Sequence, residues 1–273
     1  MMQTHDTDDK RLTPDIPAGA IARHMRVAVG ITALRPRPAG DVGIDTELVF
    51  GETLCCFDEM EGWSYVQAER DGYVGYVASN ALESARQPAT HQVLGLRSYV
   101  YSGPSIKLPD PILIPQGALL TVTAMAGNFA VLDGGGHVYA AHIMPVAQAA
   151  TDYVSIAEAY LGTPYLWGGR TSLGLDCSGL LQTSLRQAGI AAPRDSDMLE
   201  RFFPNALPIT PDFSGLRRGD AVFWKGHCGI MRDDQTLLHA NGHHMNVASE
   251  PLKQAAERIL AKSFGPITSI RRL

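Results

Sequence analysis

From Val27 to about Glu83 the chain alternates short apolar stretches with turn chemistry. Val27–Ile31, Glu47–Phe50, Thr53–Asp58, Trp63–Ala68 and Gly72–Ala78 read as strands. Between them lie Pro36–Gly43, Gly51-Glu52, Glu61-Gly62 and Arg70-Asp71-Gly72, each rich in turn residues. So many short strands hide their edges best by closing into a small β-barrel. A weaker copy follows from His91 to Val146. Phe50-Gly51-Glu52-Thr53-Leu54, Gly62-Trp63 and Asp71-Gly72-Tyr73-Val74-Gly75-Tyr76-Val77 recur in order as Pro115-Gln116-Gly117-Ala118-Leu119, Gly127-Asn128-Phe129 and Gly135-Gly136-His137-Val138-Tyr139-Ala140. The pattern predicts a tandem repeat of one barrel with Ser84–Thr90 as linker. After Pro145 the period changes. Tyr153, Ile156, Ala157, Tyr160 and Leu161 share one helical face, and Cys177–Ala188 reads as a second helix stopped by Gly189. Strands follow at Ala221–Trp224, His227–Met231 and Thr236–Ala240, so residues 150–273 form an α+β unit. The expected organisation is an extension over 1–25, barrels over 26–84 and 90–147, and the α+β unit.

Composition narrows the classes. The 273 residues are 45% hydrophobic and 19% charged, with net charge -5. That is ample material for packed cores, and no Lys/Arg run suggests nucleic acid or an anionic membrane as partner. No stretch approaches the roughly 18 apolar residues of a spanning helix, and the polar start carries no secretory pattern. Four cysteines, Cys55, Cys56, Cys177 and Cys228, are too few and too oddly placed for a disulfide framework. A reducing cytoplasm, a monomer and a small-molecule partner are the corresponding expectations.

The candidate chemistry lies in the third unit. A thiol at Cys177 meets the unpaired N–H groups and positive dipole of a helix start, which favour thiolate. If Met231 pairs with Gln235 across the turn, His227 faces His239 directly, with Cβ atoms about 4.5–5.5 Å apart. One ring can then take the thiol proton while the other holds it, the nucleophile–base–orienter arrangement. His239-x-x-x-His243 has ligand spacing only on a helix, and Asn241-Gly242 is turn-like, so neither a metal nor another cofactor is expected.

These residues carry a resemblance. Gly162-Thr163-Pro164-Tyr165-Leu166-Trp167-Gly168-Gly169, Asp176-Cys177-Ser178-Gly179-Leu180, Arg218-Gly219-Asp220-Ala221-Val222-Phe223, His227-Cys228-Gly229-Ile230 and Leu238-His239-Ala240 resemble, in this order, the NlpC-type, papain-like cysteine peptidases of bacterial cell-wall metabolism. Leu34-Arg35-Pro36-Arg37-Pro38 and Gly75-Tyr76-Val77 resemble bacterial SH3-like domains. The resemblance implies a papain-like fold and cleavage of amide bonds in peptidoglycan stem peptides. It makes Cys177 the nucleophile, His227 the base, His239 the orienting residue and Tyr165 an oxyanion donor. Asp176 and Ser178 match positions used around a D-Glu carboxylate, with Trp167 in the neighbouring segment. Cys228 stands where Val or Ala is commoner and reads as a small apolar filler.

Pro193-Arg194-Asp195-Ser196-Asp197 further resembles the muropeptide-recycling γ-D-glutamyl-diamino-acid endopeptidases, which also carry tandem SH3-like domains. That implies a stem peptide with a free N-terminal L-Ala as substrate. Its amine would meet Asp195, with Ser196 beside it and Glu47 and Tyr73 from the first barrel. Tyr73 also reads as barrel core, with Trp63 and Tyr76, and Asp195 also reads as the N-cap of a helix over Ser196–Phe203. Two other readings stand beside this one, a lytic enzyme acting on intact wall and a non-catalytic wall-binding protein.

Overall fold

The computed structural model describes residues 9–273. Its chain divides into two compact units, 1–148 and 149–273. In the first, β1 (Arg23–Val27), β2 (Ile31–Leu34), β3 (Thr46–Val49), β4 (Thr53–Met60), β5 (Trp63–Ala68), β6 (Val74–Ala78) and β7 (Leu82–Ser84) build one barrel. Its sheet runs β6-β5-β4-β1-β7, with β2 and β3 paired as a separate ribbon. A bridge between Arg35 and Tyr76 ties that ribbon to the β6 edge. Val27, Leu34, Leu54, Val66 and Val77 are all buried in its core, and Tyr73 packs with them.

The expected strand Val27–Ile31 is instead the corner between β1 and β2. A side chain at Gly30 would run into the Leu113 carbonyl, so the backbone turns there where another chain segment crosses it closely. The expected extension also ends early, because β1 begins at Arg23 and pairs with both β4 and β7. Leu12 packs on the barrel core, and Val74 N–H donates to the Arg11 carbonyl at 2.8 Å. The part of the extension over residues 1–8 lies outside the described residues.

The second barrel is formed by β8 (His91–Val93), β9 (Arg97–Tyr101), β10 (Ile112–Pro115), β11 (Leu119–Leu120), β12 (Val122–Ala126), β13 (Phe129–Leu132), β14 (His137–Tyr139) and β15 (Ile143–Pro145). The repeat read from the sequence appears in its backbone. Each barrel ends in strand, one 3-10 turn and strand, Ser79–Ala81 in the first and Ala140–His142 in the second. The residues entering these turns have nearly equal angles, φ -60°, ψ 124° at Ala78 and φ -62°, ψ 122° at Tyr139. The second core contains Val93, Ile114, Leu120 and Val138, but also Val49 and Phe50 from the end of β3.

The second unit is α+β. It comprises α1 (Tyr153–Ala159), β16 (Arg170–Thr171), β17 (Gly174–Leu175), α2 (Cys177–Gln187), α3 (Ser196–Phe202), β18 (Asn205–Leu207), β19 (Ala221–Trp224), β20 (His227–Met231), β21 (Thr236–Asn241), β22 (Asn246–Pro251), α4 (Leu252–Lys262) and β23 (Ile267–Arg272). Asp152 caps α1 by accepting from Val154 N–H at 2.9 Å. α2 stops as its sequence predicts, with Gly189 at φ +76° just beyond the end. The antiparallel sheet has the order β18-β23-β19-β20-β21-β22. Its last strand in sequence therefore lies inside it. Leu252, Ala255 and Ile259 bury one face of α4 against Trp224, Met231, Leu237 and Ile270. The four cysteines are unpaired.

Candidate active site

Cys177 opens α2 and is 8% exposed. Asp176, at the N-cap, accepts from Gly179 N–H at 2.6 Å, so the first helical turn is closed by its own carboxylate. The same carboxylate accepts from Gly168 N–H at 2.9 Å and from both terminal nitrogens of Arg194, at 3.1 and 2.6 Å. Ser178 Oγ donates to it at 3.2 Å while accepting from Arg194 at 2.7 Å. Arg194 is 1% exposed. Asp176 and Ser178, expected around a substrate carboxylate, are both engaged with Arg194. Both face inward and clasp Arg194 to the helix start and the Gly168 loop.

The glycines of this region follow from close packing. A Cβ at Gly179 would collide with the Gly169 carbonyl, so only hydrogen lets the Trp167-Gly168-Gly169 loop lie on the helix that carries Cys177. Gly179→Ala is expected to push that loop away, with a cost of about 1–3 kcal/mol from overpacking and a matching fall in thiol reactivity. Thermal melts together with alkylation rates read this directly. Unchanged values for both would show that the loop yields freely.

His227 begins β20, His239 lies mid-strand in β21, and both are buried. Their rings meet, with His227 Nε2 2.9 Å from His239 Nδ1. The register differs from the expected one. Met231 pairs with Leu237 and Ile230 with Leu238, because Arg232 and Thr236 rather than Met231 and Gln235 close the turn. The shift moves the partner of each residue by two positions and leaves the face unchanged, so the two histidines are diagonal neighbours. Gly229 makes the diagonal possible, since a Cβ there would lie 2.7 Å from Leu237 Cδ1 and 3.2 Å from His239 Cβ. Phe264 stacks on His227 with centroids 5.2 Å apart and planes 8° from parallel, while Trp224 lies against it at 5.5 Å.

Hydrogen bonds continue beyond the expected set. His239 Nε2 is 2.8 Å from Glu250 Oε1 on β22, and Arg258 on α4 grips both oxygens of Glu250, with Nη2 2.7 Å from Oε1. Sequence reading missed Glu250, Arg258 and Phe264, which belong to no recognised motif. The buried i, i+3, i+7 spacing of Leu252, Ala255 and Ile259 was the available signal for α4.

Electrostatics separates the two thiols. The hydrogen bond from Cys228, followed by the charge of the adjoining His227, outweighs burial and holds Cys177 well below the ordinary thiol range. The same bond pushes Cys228 up, so it remains a thiol. Cys228 is therefore a donor to Cys177 rather than only an apolar filler. Burial pushes the His239 imidazole down to about 4, keeping it neutral. Burial raises Glu250, but its bonds to His239 and Arg258 prevail and hold it well below the carboxylate range. The Tyr165 phenol is pushed up, first by burial and then by the charge on Cys177, and stays a donor.

Of the remaining expected residues, Trp167 is 66% exposed. Asp195 stands at the N-cap of α3 without a side-chain cap bond, and Ser196 is the first helical residue. Glu47 and Tyr73 lie in the first unit, where both are buried. Asn241 Oδ1 accepts from the N–H groups of His243 and His244, so that segment is a turn after β21. His239, His244 and Glu250 bring ligand-type atoms within 4.8 Å of one another, with Glu250 already held by Arg258.

Residues 34–82 match the bacterial dipeptidyl-peptidase Sh3 domain, and residues 162–262 match the NlpC/P60 family. Dipeptidyl-peptidase 6 of Lysinibacillus sphaericus is 26% identical over 74% of this chain and 83% of its own length. The gamma-D-glutamyl-L-lysine dipeptidyl-peptidase of Bacillus subtilis is 28% identical over 72% of each chain. An NlpC/P60 family protein from Bacillus cereus shares the fold at TM-score 0.74 and 18% identity, over 91% of this chain and 99% of that one.

Proposed function

Because the chain joins a bacterial dipeptidyl-peptidase Sh3 domain to an NlpC/P60 domain, we propose that it is a cysteine endopeptidase hydrolysing the γ-D-Glu–diamino-acid bond of peptidoglycan stem peptides, the diamino acid being diaminopimelate or lysine. The observation that carries this reading is the thiolate-favouring Cys177 beside His227, itself bonded to His239 at 2.9 Å. Names of relatives across both domains support the bond and the substrate class.

The Cys177 thiolate adds to the γ-carbonyl carbon, and the electron pair moves onto the carbonyl oxygen. The Tyr165 hydroxyl and the N–H groups at the start of α2 stabilise that oxygen. Collapse of the adduct expels the amine of the diamino acid, which takes its proton from the His227 imidazolium. His227 then draws a proton from water, whose oxygen attacks the thioester and releases L-Ala-D-Glu with a free γ-carboxyl and the thiolate restored.

The reading extends to released peptides with a free N-terminal L-Ala and to recycling in the cytoplasm. The position of Asp195 at the start of α3, directly after the buried Arg194, supports the first part. The test gives the protein L-Ala-γ-D-Glu-diaminopimelate or its lysine counterpart, the same peptides with acetylated amines, and intact sacculi. Free diamino acid is expected from the unblocked tripeptides. Acetylation removes a charge-assisted bond of about 1.5–3 kcal/mol, so turnover should fall roughly 10–100-fold. Equal action on sacculi and tripeptides would sink the recycling assignment, and no diamino acid from any of them would sink the peptidase itself.

A further inference from the structure

We propose that Glu250 is a positioning residue that sets the tautomer of both imidazoles, so that Nδ1 of His227 is the nitrogen left free for the Cys177 proton. This rests on the cysteine-peptidase reading above and adds a fourth member to its hydrogen-bonded chain.

The argument is one of donors and acceptors. An ionised carboxylate only accepts, so the proton between His239 Nε2 and Glu250 Oε1, 2.8 Å apart, resides on Nε2. A neutral imidazole carries one N–H, which leaves His239 Nδ1 as an acceptor. The 2.9 Å contact between His239 Nδ1 and His227 Nε2 then requires the proton on His227 Nε2. His227 Nδ1 is left as the nitrogen that takes the Cys177 proton. Reversing any link would place an N–H on His227 Nδ1 and remove the base. A buried imidazole at low pKa and an ionised carboxylate agree with this assignment.

The backbone explains how Glu250 reaches this place. β21 and β22 pair Leu237 with Glu250 and His239 with Ala248. Glu250 and His239 therefore share a face as diagonal neighbours, within reach of long side chains. Arg258, nearly two turns into α4, anchors both carboxylate oxygens from the other side. The anchoring holds the carboxylate in place, while the bond from His239 itself favours the ionised form, which has no donor to offer the ring.

The test compares Arg258→Leu with the double variant Glu250→Leu/Arg258→Leu, which removes the ion pair without stranding a buried charge. Imidazole 15N NMR of the full chain, labelled on histidine, reads the tautomers without any substrate. Wild type and Arg258→Leu should both show His239 protonated at Nε2 and His227 protonated at Nε2. The double variant should lose that pattern, and its kcat should fall about 100-fold with KM little changed, while Arg258→Leu loses far less. A merely structural ion pair would make both variants equally poor and leave the tautomers alone, and that result would overturn the proposal. So would an Nδ1-protonated His239 in wild type. If wild type hydrolyses no stem peptide, the proposed activity fails while the NMR comparison still decides the tautomers.

Discussion

Cys177→Ala is expected to abolish release of diamino acid from the stem tripeptide, a loss of about 10⁴-fold or more in kcat, as for other enzymes deprived of their covalent nucleophile. No second nucleophile stands in. Cys228 is the nearest thiol, and its bond to Cys177 keeps it protonated. Iodoacetamide supplies a readout independent of substrate. Because the Cys177 pKa is lowered, thiolate persists as pH falls below the ordinary thiol range near 8.5, so alkylation at Cys177 should remain fast at about pH 6. Cys55 is shifted upward, first by burial and then by Glu69, and should react only as pH rises above that range. Peptide mapping of the labelled sites separates the two. Residual turnover above a few per cent in Cys177→Ala, or alkylation of Cys177 that waits for alkaline pH, would contradict the mechanism.

The second large effect concerns stability. Arg194→Met should cost about 3–5 kcal/mol, because it leaves the Asp176 carboxylate buried beside nothing of opposite charge. In a protein of this size that lowers the melting temperature by roughly 10 °C. The pair is close, at 2.6 Å, and Arg194 also holds Ser178. Adding Asp176→Asn should restore much of the loss, since asparagine still caps a helix and needs no cation. Calorimetry on the single and double variants closes the cycle. If Arg194→Met melts with wild type, the clasp contributes little and the packing of the Gly168 loop must hold the helix start unaided.

How much the sequence conveyed depended on whether a feature was local. The stop of α2 was readable because Gly189 acts within one turn, whereas the cap by Asp176 came only with the structure. The repeat of the barrels was readable because turn residues recur at matching offsets. The corner at Gly30 was not, since its cause is the Leu113 carbonyl, distant in sequence. The meeting of His227 and His239 was anticipated on the right face with the wrong partner positions. Parity along a strand is set by the pleat, whereas register is set by which residues close the turn. The ion pair of Asp176 was not legible either, because Arg194 comes to it from eighteen residues further on. Glu250 had no signature at all, being one carboxylate on a strand whose diagonal neighbour across the sheet happens to be a histidine.

Val49 and Phe50 lie in one barrel by sequence and in the core of the next by packing. Arg26 adds a link by reaching Glu83 at 2.7 Å and Asp133 at 3.0 Å, and Leu119 N–H donates to the Phe50 carbonyl at 2.8 Å. The two barrels therefore share a core and cannot be exchanged as independent modules. A descendant that shed the second copy would leave Val49 and Phe50 of the first open to water.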